Sequence, residues 1–203
     1  MCLPKKHSFF LLIGVTNVCK APLAYFLTGG PLKGESINEL LKESIHRLHD
    51  VGVRVRSITC DGAAANLAAL RLLGASLPDQ PWFQHPQMAS TARVFVNIDA
   101  VHMIKLARNA FASGDMKNTA GERVSWTYIS TMFRLQEEEG LRFATKITAA
   151  HVTEWRKRKM RVKLATQVLS RSVADALQLL SDIKHKDFVD VAATIDHIRL
   201  LDG

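Results

Sequence analysis

Residues 58–66 read ITCDGAAAN: a strand-forming run, Ser57-Ile58-Thr59-Cys60, ends in a carboxylate, Asp61. A second run, RVFVNI at 93–98, ends in Asp99. In open α/β sheets, functional side chains gather at the carboxyl ends of strands. Two such acids on neighbouring strands can share a divalent cation, because Mg²⁺ takes one or two carboxylates and keeps its other positions for water and phosphate oxygens. Two ions about 4 Å apart can activate an attacking water or hydroxyl and stabilise the leaving oxygen. The competing reading is helix capping, since an aspartate just before a helix satisfies free N–H groups and contributes about 1 kcal/mol. The residue types alone leave both readings open, and Asn66 reads equally well as an exposed helix residue.

These acids need elements to hold them. Ser8–Val15 and Ala21–Thr28 are expected as strands of an antiparallel hairpin through the link Thr16–Lys20. Glu35 to Asp50 places Ile37, Leu40, Leu41, Ile45 and Leu48 on one helical face, with Gly52 as a stop. Val53–Cys60 is rich in β-branched residues and reads as a strand. A short alanine–leucine helix follows from Ala63 to Leu73, then a proline-rich loop over 76–92, a strand over Arg93–Ile98 and a helix from Val101 to Phe111. Beyond residue 115 only helices are expected: Trp126–Glu138, a long and breakable Thr148–Leu180, and Phe188–Leu201. The change in pattern puts a domain boundary at 118/119, within a glycine-marked stretch.

Composition bounds the function. A chain of 203 residues, 47% hydrophobic and 23% charged, is globular rather than disordered. Its longest apolar run, Phe9 to Val15, is too short to span a bilayer, so no membrane partner is expected. The start MCLPKKHSFFLLIGV has the outline of a signal peptide, but no A-x-A-like cleavage site follows, and it reads better as a buried strand. Cys2, Cys19 and Cys60 are odd in number and unpaired by spacing, which fits a reducing compartment and disfavours both a zinc site and a disulfide framework. The net charge of +8 favours polyanionic partners. No GxxxxGK[ST], strand-following GxGxxG or GxSxG motif is present.

The order and spacing of ITCDGAAANLAALRLLGA, FQHP, VNIDAVHMIKLARNAF, WTYISTMFRLQEEEGLRFATKITAAHV and KMRVKLATQVLSRSVADAL resemble the P-element transposases and their THAP-type relatives. The resemblance implies a ribonuclease-H-like mixed sheet that lacks its first strand here, an α/β core over residues 1–118, followed by a mostly helical GTP-binding insertion over 119–203. It implies a DDE triad, Mg²⁺ and GTP as cofactors, and cleavage and joining of DNA, both transposon ends and target, in the nucleus. A homo-oligomer is compatible with it. Asp61 corresponds to the second acid of the triad. Asp99, His102, Lys105, Arg108 and Asn109 make up the family's D-x-x-H-x-x-K-x-x-R-N pattern, read as support for the active site; His102 is a structural residue or, less simply, a metal ligand. His102, Lys105 and Asn109 share a helical face through i+3 and i+4 steps.

Departures from the pattern matter as much. No Asp or Glu precedes Glu35, and no stretch of the chain corresponds to the triad's glutamate or to the C2CH zinc finger of THAP proteins. The expected function is therefore that of a fragment of a P-element-like transposase, inactive by itself. The rivals are a domesticated, non-catalytic nuclear protein that binds DNA or protein, and an inactive transposon relic. One further feature stands apart. WRKRKMRVK at 155–163 carries Arg156, Lys157, Arg158, Lys159, Arg161 and Lys163 with no acid among them, either a nucleic-acid or localisation surface on a helix or simply a solvated face.

Overall fold

Strand pairing among the described residues is confined to small sheets. The structure, a computed structural model, describes residues 6–15, 19–88 and 91–202. Cys2 and most of the link at 16–18 lie outside the described residues. β1 (Lys6–Ile13) and β2 (Lys20–Thr28) form the expected antiparallel hairpin, with Phe9 opposite Tyr25 and Phe10 opposite Ala24. The register then shifts so that Leu11 faces Pro22. Proline has no N–H for the ladder, and a bulge is where a strand tolerates it. Both faces of the hairpin are apolar. Phe10 and Phe26 meet edge to face at 5.5 Å on one side, while Phe9, Leu11, Ile13, Tyr25 and Leu27 are each half or more exposed.

α1 (Gly34–Asp50) buries Ile45 and Leu48 and carries its ion pairs Glu39–Lys42, Glu43–Arg47 and His46–Asp50 on the solvent side. Such exposed pairs contribute a few tenths of a kcal/mol at most. β3 is Ser57–Cys60, four residues rather than the eight expected from Val53. The ladder with β5 (Arg93–Ile98) begins only at Ser57 opposite Phe95, so the β-branched residues before it have no neighbour to pair with. α2 (Ala64–Leu72) follows, and the expected 76–92 loop contains a short strand, β4 (Trp82–Gln84), antiparallel to β5. The second sheet thus runs β3-β5-β4, parallel on one side and antiparallel on the other. The expected mixed sheet, lacking its first strand, is present as separate small sheets: β1 bonds only β2, and β3 bonds only β5, among the described residues. The three-stranded sheet, α1 and α2 bury Ile45, Leu70, Phe83, Val94 and Val96 together.

α3 (Ala100–Ser113) leads into the helical part. A two-residue ladder, β6 (Met116–Lys117) with β7 (Arg123–Val124), is the only strand pairing there among the described residues. α4 (Thr127–Glu139) ends at Gly140 with φ +71°, a left-handed stop that glycine adopts without strain. The expected long helix over 148–180 is broken into α5 (Ala149–Val152), a 3₁₀ turn (Trp155–Arg158), α6 (Val162–Val168) and α7 (Arg171–Asp182). A second 3₁₀ turn (Lys186–Phe188) precedes α8 (Ala192–Asp202). The core is built on Phe111, Ile129, Met132, Leu177, Phe188 and Ile195, all buried. Ser125 and Thr194 are buried with it: the Ser125 main-chain N–H donates to Thr194 Oγ1 at 3.0 Å, and its hydroxyl donates to Asp115. That hydroxyl and the Arg123 guanidinium hold the Asp115 carboxyl below the usual carboxylate range. The chain parts into two compact units, Met1–Asp99 and Ala100–Gly203, upstream of the 118/119 boundary that periodicity suggests.

Gly34 is a tight point. A Cβ there would lie 2.6 Å from Ala68 Cβ on α2. Gly34→Ala gains at most about 1 kcal/mol of helix propensity and loses about 1–3 kcal/mol to overpacking, so its urea midpoint is expected to fall. Two histidines add a pH dependence. Burial first, then the charges of His49 and Arg56, lower His85, and burial lowers His197. The unfolded chain takes up these protons near 6.5 while the fold resists them. Stability is therefore complete above that pH and is lost as pH falls below it. Urea midpoints measured at about pH 7.5 and 5.5 are expected to be lower at the acid end, and His85→Asn to reduce the difference.

Candidate functional site

The parallel pairing of β3 and β5 puts Cys60 opposite Ile98, so the chain leaves both strands at the same level. Asp61 follows one and Asp99 the other, and the Asp99 main-chain N–H donates to Cys60 O at 2.8 Å. Both aspartates are half-buried. The two strand-end acids are thus side by side in the fold.

Asp61 is not the cap of α2. The capping position is Ala63, and no side chain caps it. Asp61 Oδ1 instead accepts from the Ala63 N–H two residues on, at 3.1 Å, and from Asn66 Nδ2 at 2.6 Å. The first bond is the local turn that Asp favours; the second reaches back from the first turn of α2. Together they fix the carboxyl plane and leave Oδ2 without a partner among the described residues. Asn66 is half-buried and orients Asp61, a role that its sequence position did not reveal. The glycine and alanines between them keep the turn small. The adjacent Cys60 thiol is pushed up by burial and then by the Asp61 charge, which suits a packing residue and not a nucleophile. Oxygen donors of this kind fit Mg²⁺, but among the described residues no group of three or more His, Cys, Asp or Glu side chains is placed to hold a metal.

The remaining candidates lie in the other compact unit. On α3, His102 and Lys105 are half-buried and make no hydrogen bond or ion pair among the described residues. Arg108 is fully buried. Its Nε donates to Asn109 Oδ1 at 3.0 Å and its Nη2 to Arg158 O at 3.3 Å, while Asn109 Nδ2 donates to Lys159 O at 3.2 Å. Burial pulls the Arg108 guanidinium below its usual range. Arg108 and Asn109 therefore reach the basic run across fifty residues of sequence.

That run does not form one helical face. Trp155–Arg158 is a 3₁₀ turn, and α6 begins only at Val162. Met160 is exposed, whereas Val168 and Leu169 are buried. Arg156 lies over the Trp155 ring at 5.3 Å, and Arg158 pairs with Glu154 at 2.8 Å. Lys157, Lys159, Arg161 and Lys163 are exposed and have no acidic partner among the described residues.

Comparison with known proteins follows the same division. Residues 3–74 match the family model described as TNP-like, RNase H N-terminal domain, and residues 101–203 match the one described as TNP-like, GTP-binding insertion domain. The chain is 27% identical over 196 residues to the DNA transposase THAP9 of Homo sapiens, covering 95% of this chain and 21% of that protein. It is 27% identical over 188 residues to the transposable element P transposase of Drosophila melanogaster, covering 93% of this chain and 24% of that protein. It shares its fold, at a TM-score of 0.80 and 24% identity, with a chain of the Drosophila P element transposase strand transfer complex, over 96% of this chain and 42% of that one. The chain spans less than a quarter of the length of these curated relatives. With an RNase H N-terminal domain and a GTP-binding insertion domain matched in that order, it belongs to the TNP-like family, which its similarity to the P-element and THAP9 transposases also marks.

Proposed function

We propose that this chain is a portion of a P-element-like DNA transposase, contributing one acid of a metal-binding triad and the opening part of a GTP-binding insertion. The observation that carries this reading is the setting of Asp61. Its Oδ1 is tied by Asn66 and the Ala63 N–H, its Oδ2 has no partner among the described residues, and it stands at a strand end beside Asp99. A carboxylate held in that way presents one hard oxygen in a fixed direction, which is what a divalent-ion ligand needs. Bound Mg²⁺ would supply Lewis-acid stabilisation of phosphate oxygens in phosphodiester hydrolysis and in attack by a DNA 3′-hydroxyl. Asp61 would hold that ion, Asn66 would hold Asp61, and Asp99 would shape the strand-end loops without being a triad member.

The other two acids are assigned to segments outside these residues. The unpaired edges support a place for one of them. Among the described residues β1 pairs on one side only, and so does β3. A strand lying between them would join both sheets and cover edges that otherwise invite pairing with other chains. GTP, transposon ends, target DNA, a homo-oligomeric assembly and a nuclear site of action belong to the same proposal and concern the complete protein. A second reading, a non-catalytic nuclear protein that binds DNA or a protein partner, is favoured by one observation: the exposed cations of residues 157–163, without acidic partners among the described residues, do not depend on Asp61.

In the complete transposase, Asp61→Ala is expected to abolish Mg²⁺-dependent strand transfer, and Asn66→Ala to lower it about 10- to 100-fold, the usual cost of removing a ligand's supporting hydrogen bond. Wild-type rates in Asp61→Ala would remove Asp61 from the triad. The 203-residue chain alone is expected to show no strand transfer. Mg²⁺-dependent DNA cleavage by it, abolished by Asp61→Ala, would overturn that expectation.

A further inference from the structure

Among the described residues, the largest fully buried side chain is a cation, Arg108. No carboxylate among them lies within ion-pair distance of it; its neighbours are an amide oxygen, a main-chain carbonyl and, at 6.0 Å, the Trp155 ring. Its Nη1 has no hydrogen-bond partner among the described residues. Buried charges are ordinarily paired, because leaving water is expensive for them. Here the compensation comes from the end of the 3₁₀ turn Trp155–Arg158, where the Arg158 carbonyl also accepts the Arg161 N–H at 3.0 Å and carbonyls at a helix end carry partial negative charge. Arg108 takes the carbonyl of Arg158, and Asn109 takes that of Lys159.

This arrangement has two physical effects. The carbonyls at the end of the basic turn are drawn toward α3, while the side chains of Lys157, Lys159, Arg161 and Lys163 remain exposed. In addition, no carboxylate among the described residues offsets the guanidinium, which bonds the same turn that carries these cations. A carboxylate partner would have cancelled that charge and weakened the potential over the turn.

We infer that Arg108 and Asn109 are positioning residues for a polyanion-binding turn, and that its occupant is the phosphate backbone of double-stranded DNA. The inference rests on the DNA-binding reading above and adds to it the surface and the residues that shape it. A lipid headgroup surface fits less well, because membrane-surface segments pair their cations with a broad apolar face, and here only Met160 stands out among the cations of the turn. Phosphate contacts of this kind position a duplex and carry no sequence information.

The test uses the full chain and a short duplex of random sequence, with affinity measured between about 50 and 200 mM salt. Replacing Lys157, Lys159 and Arg161 together by alanine should flatten the log–log salt dependence by about two to three, near 0.9 for each phosphate that is no longer neutralised. Asn109→Ala should weaken binding by about three- to tenfold, with the circular dichroism spectrum unchanged, since one positioning bond is worth roughly that factor. The readout that a merely structural role would not move is coupling: Lys159→Ala should cost less in the Asn109→Ala background than in the wild type. Equal costs in both backgrounds would overturn the positioning role while leaving DNA binding by the turn intact. A wild-type chain that does not bind the duplex, a triple variant with unchanged salt slope, or retention on phosphatidylserine vesicles but not on DNA would overturn the site and the DNA reading with it.

Discussion

A parallel ladder of four residue pairs, Ser57–Cys60 on Phe95–Ile98, sets the geometry of the first compact unit. It fixes where Asp61 and Asp99 leave the sheet, and it brings Val94 and Val96 against the face covered by α1 and α2. Parallel pairs need a crossover to return the chain, and here α2 and β4 occupy that crossover. A slip of one residue would turn Val94 and Val96 to the opposite face and carry the two acids out of step. The packing of the core and the placing of the carboxylates are therefore the same constraint.

The second unit rests on a different kind of interaction. Its hydrophobic core is continuous through α4, α7 and α8, but the shape of its most basic segment comes from polar bonds that cross from α3. Two consecutive residues, Arg108 and Asn109, each take one carbonyl of a turn distant in sequence. The Arg158 carbonyl is shared between Arg108 and the Arg161 N–H, and the Lys159 carbonyl goes to Asn109. The anchoring of the basic turn thus lies in the break between α5 and α6.

Much of this was legible in the sequence. The hairpin, α1, α2, β5 and α3 follow from periodicity and stop signals to within one or two residues. What was not legible had specific causes. Val53–Arg56 have strand-forming side chains, but strand formation needs a partner, and the ladder starts only at Ser57. β4 has three residues, too few for a period to show. Residues 155–161 contain good helix formers, so local propensity favoured a helix, whereas the structure has a 3₁₀ turn with two carbonyls bonded to α3. A periodic pattern shows that α3 is amphipathic but not which core it joins; the buried Phe111 and Arg108 place it with the helical unit. At the candidate site, the strand-end position of Asp61 was visible from the run that precedes it, whereas the role of Asn66 appears only once the turn brings its amide onto the carboxylate.

The close approach of α1 and α2 bears on how this segment can change over time. Gly34 faces Ala68 with no room for a methyl group, and the neighbouring contacts are main-chain atoms of Ala65 and Ala69, which cannot rotate away. The alanines of ITCDGAAANLAAL therefore specify an interhelical distance as much as a helix. Positions 34 and 68 share one volume. Among diverging copies of this sequence a side chain can appear at 34 only where 68 has given up its own, so the two columns should drift as a pair even though they lie on separate elements.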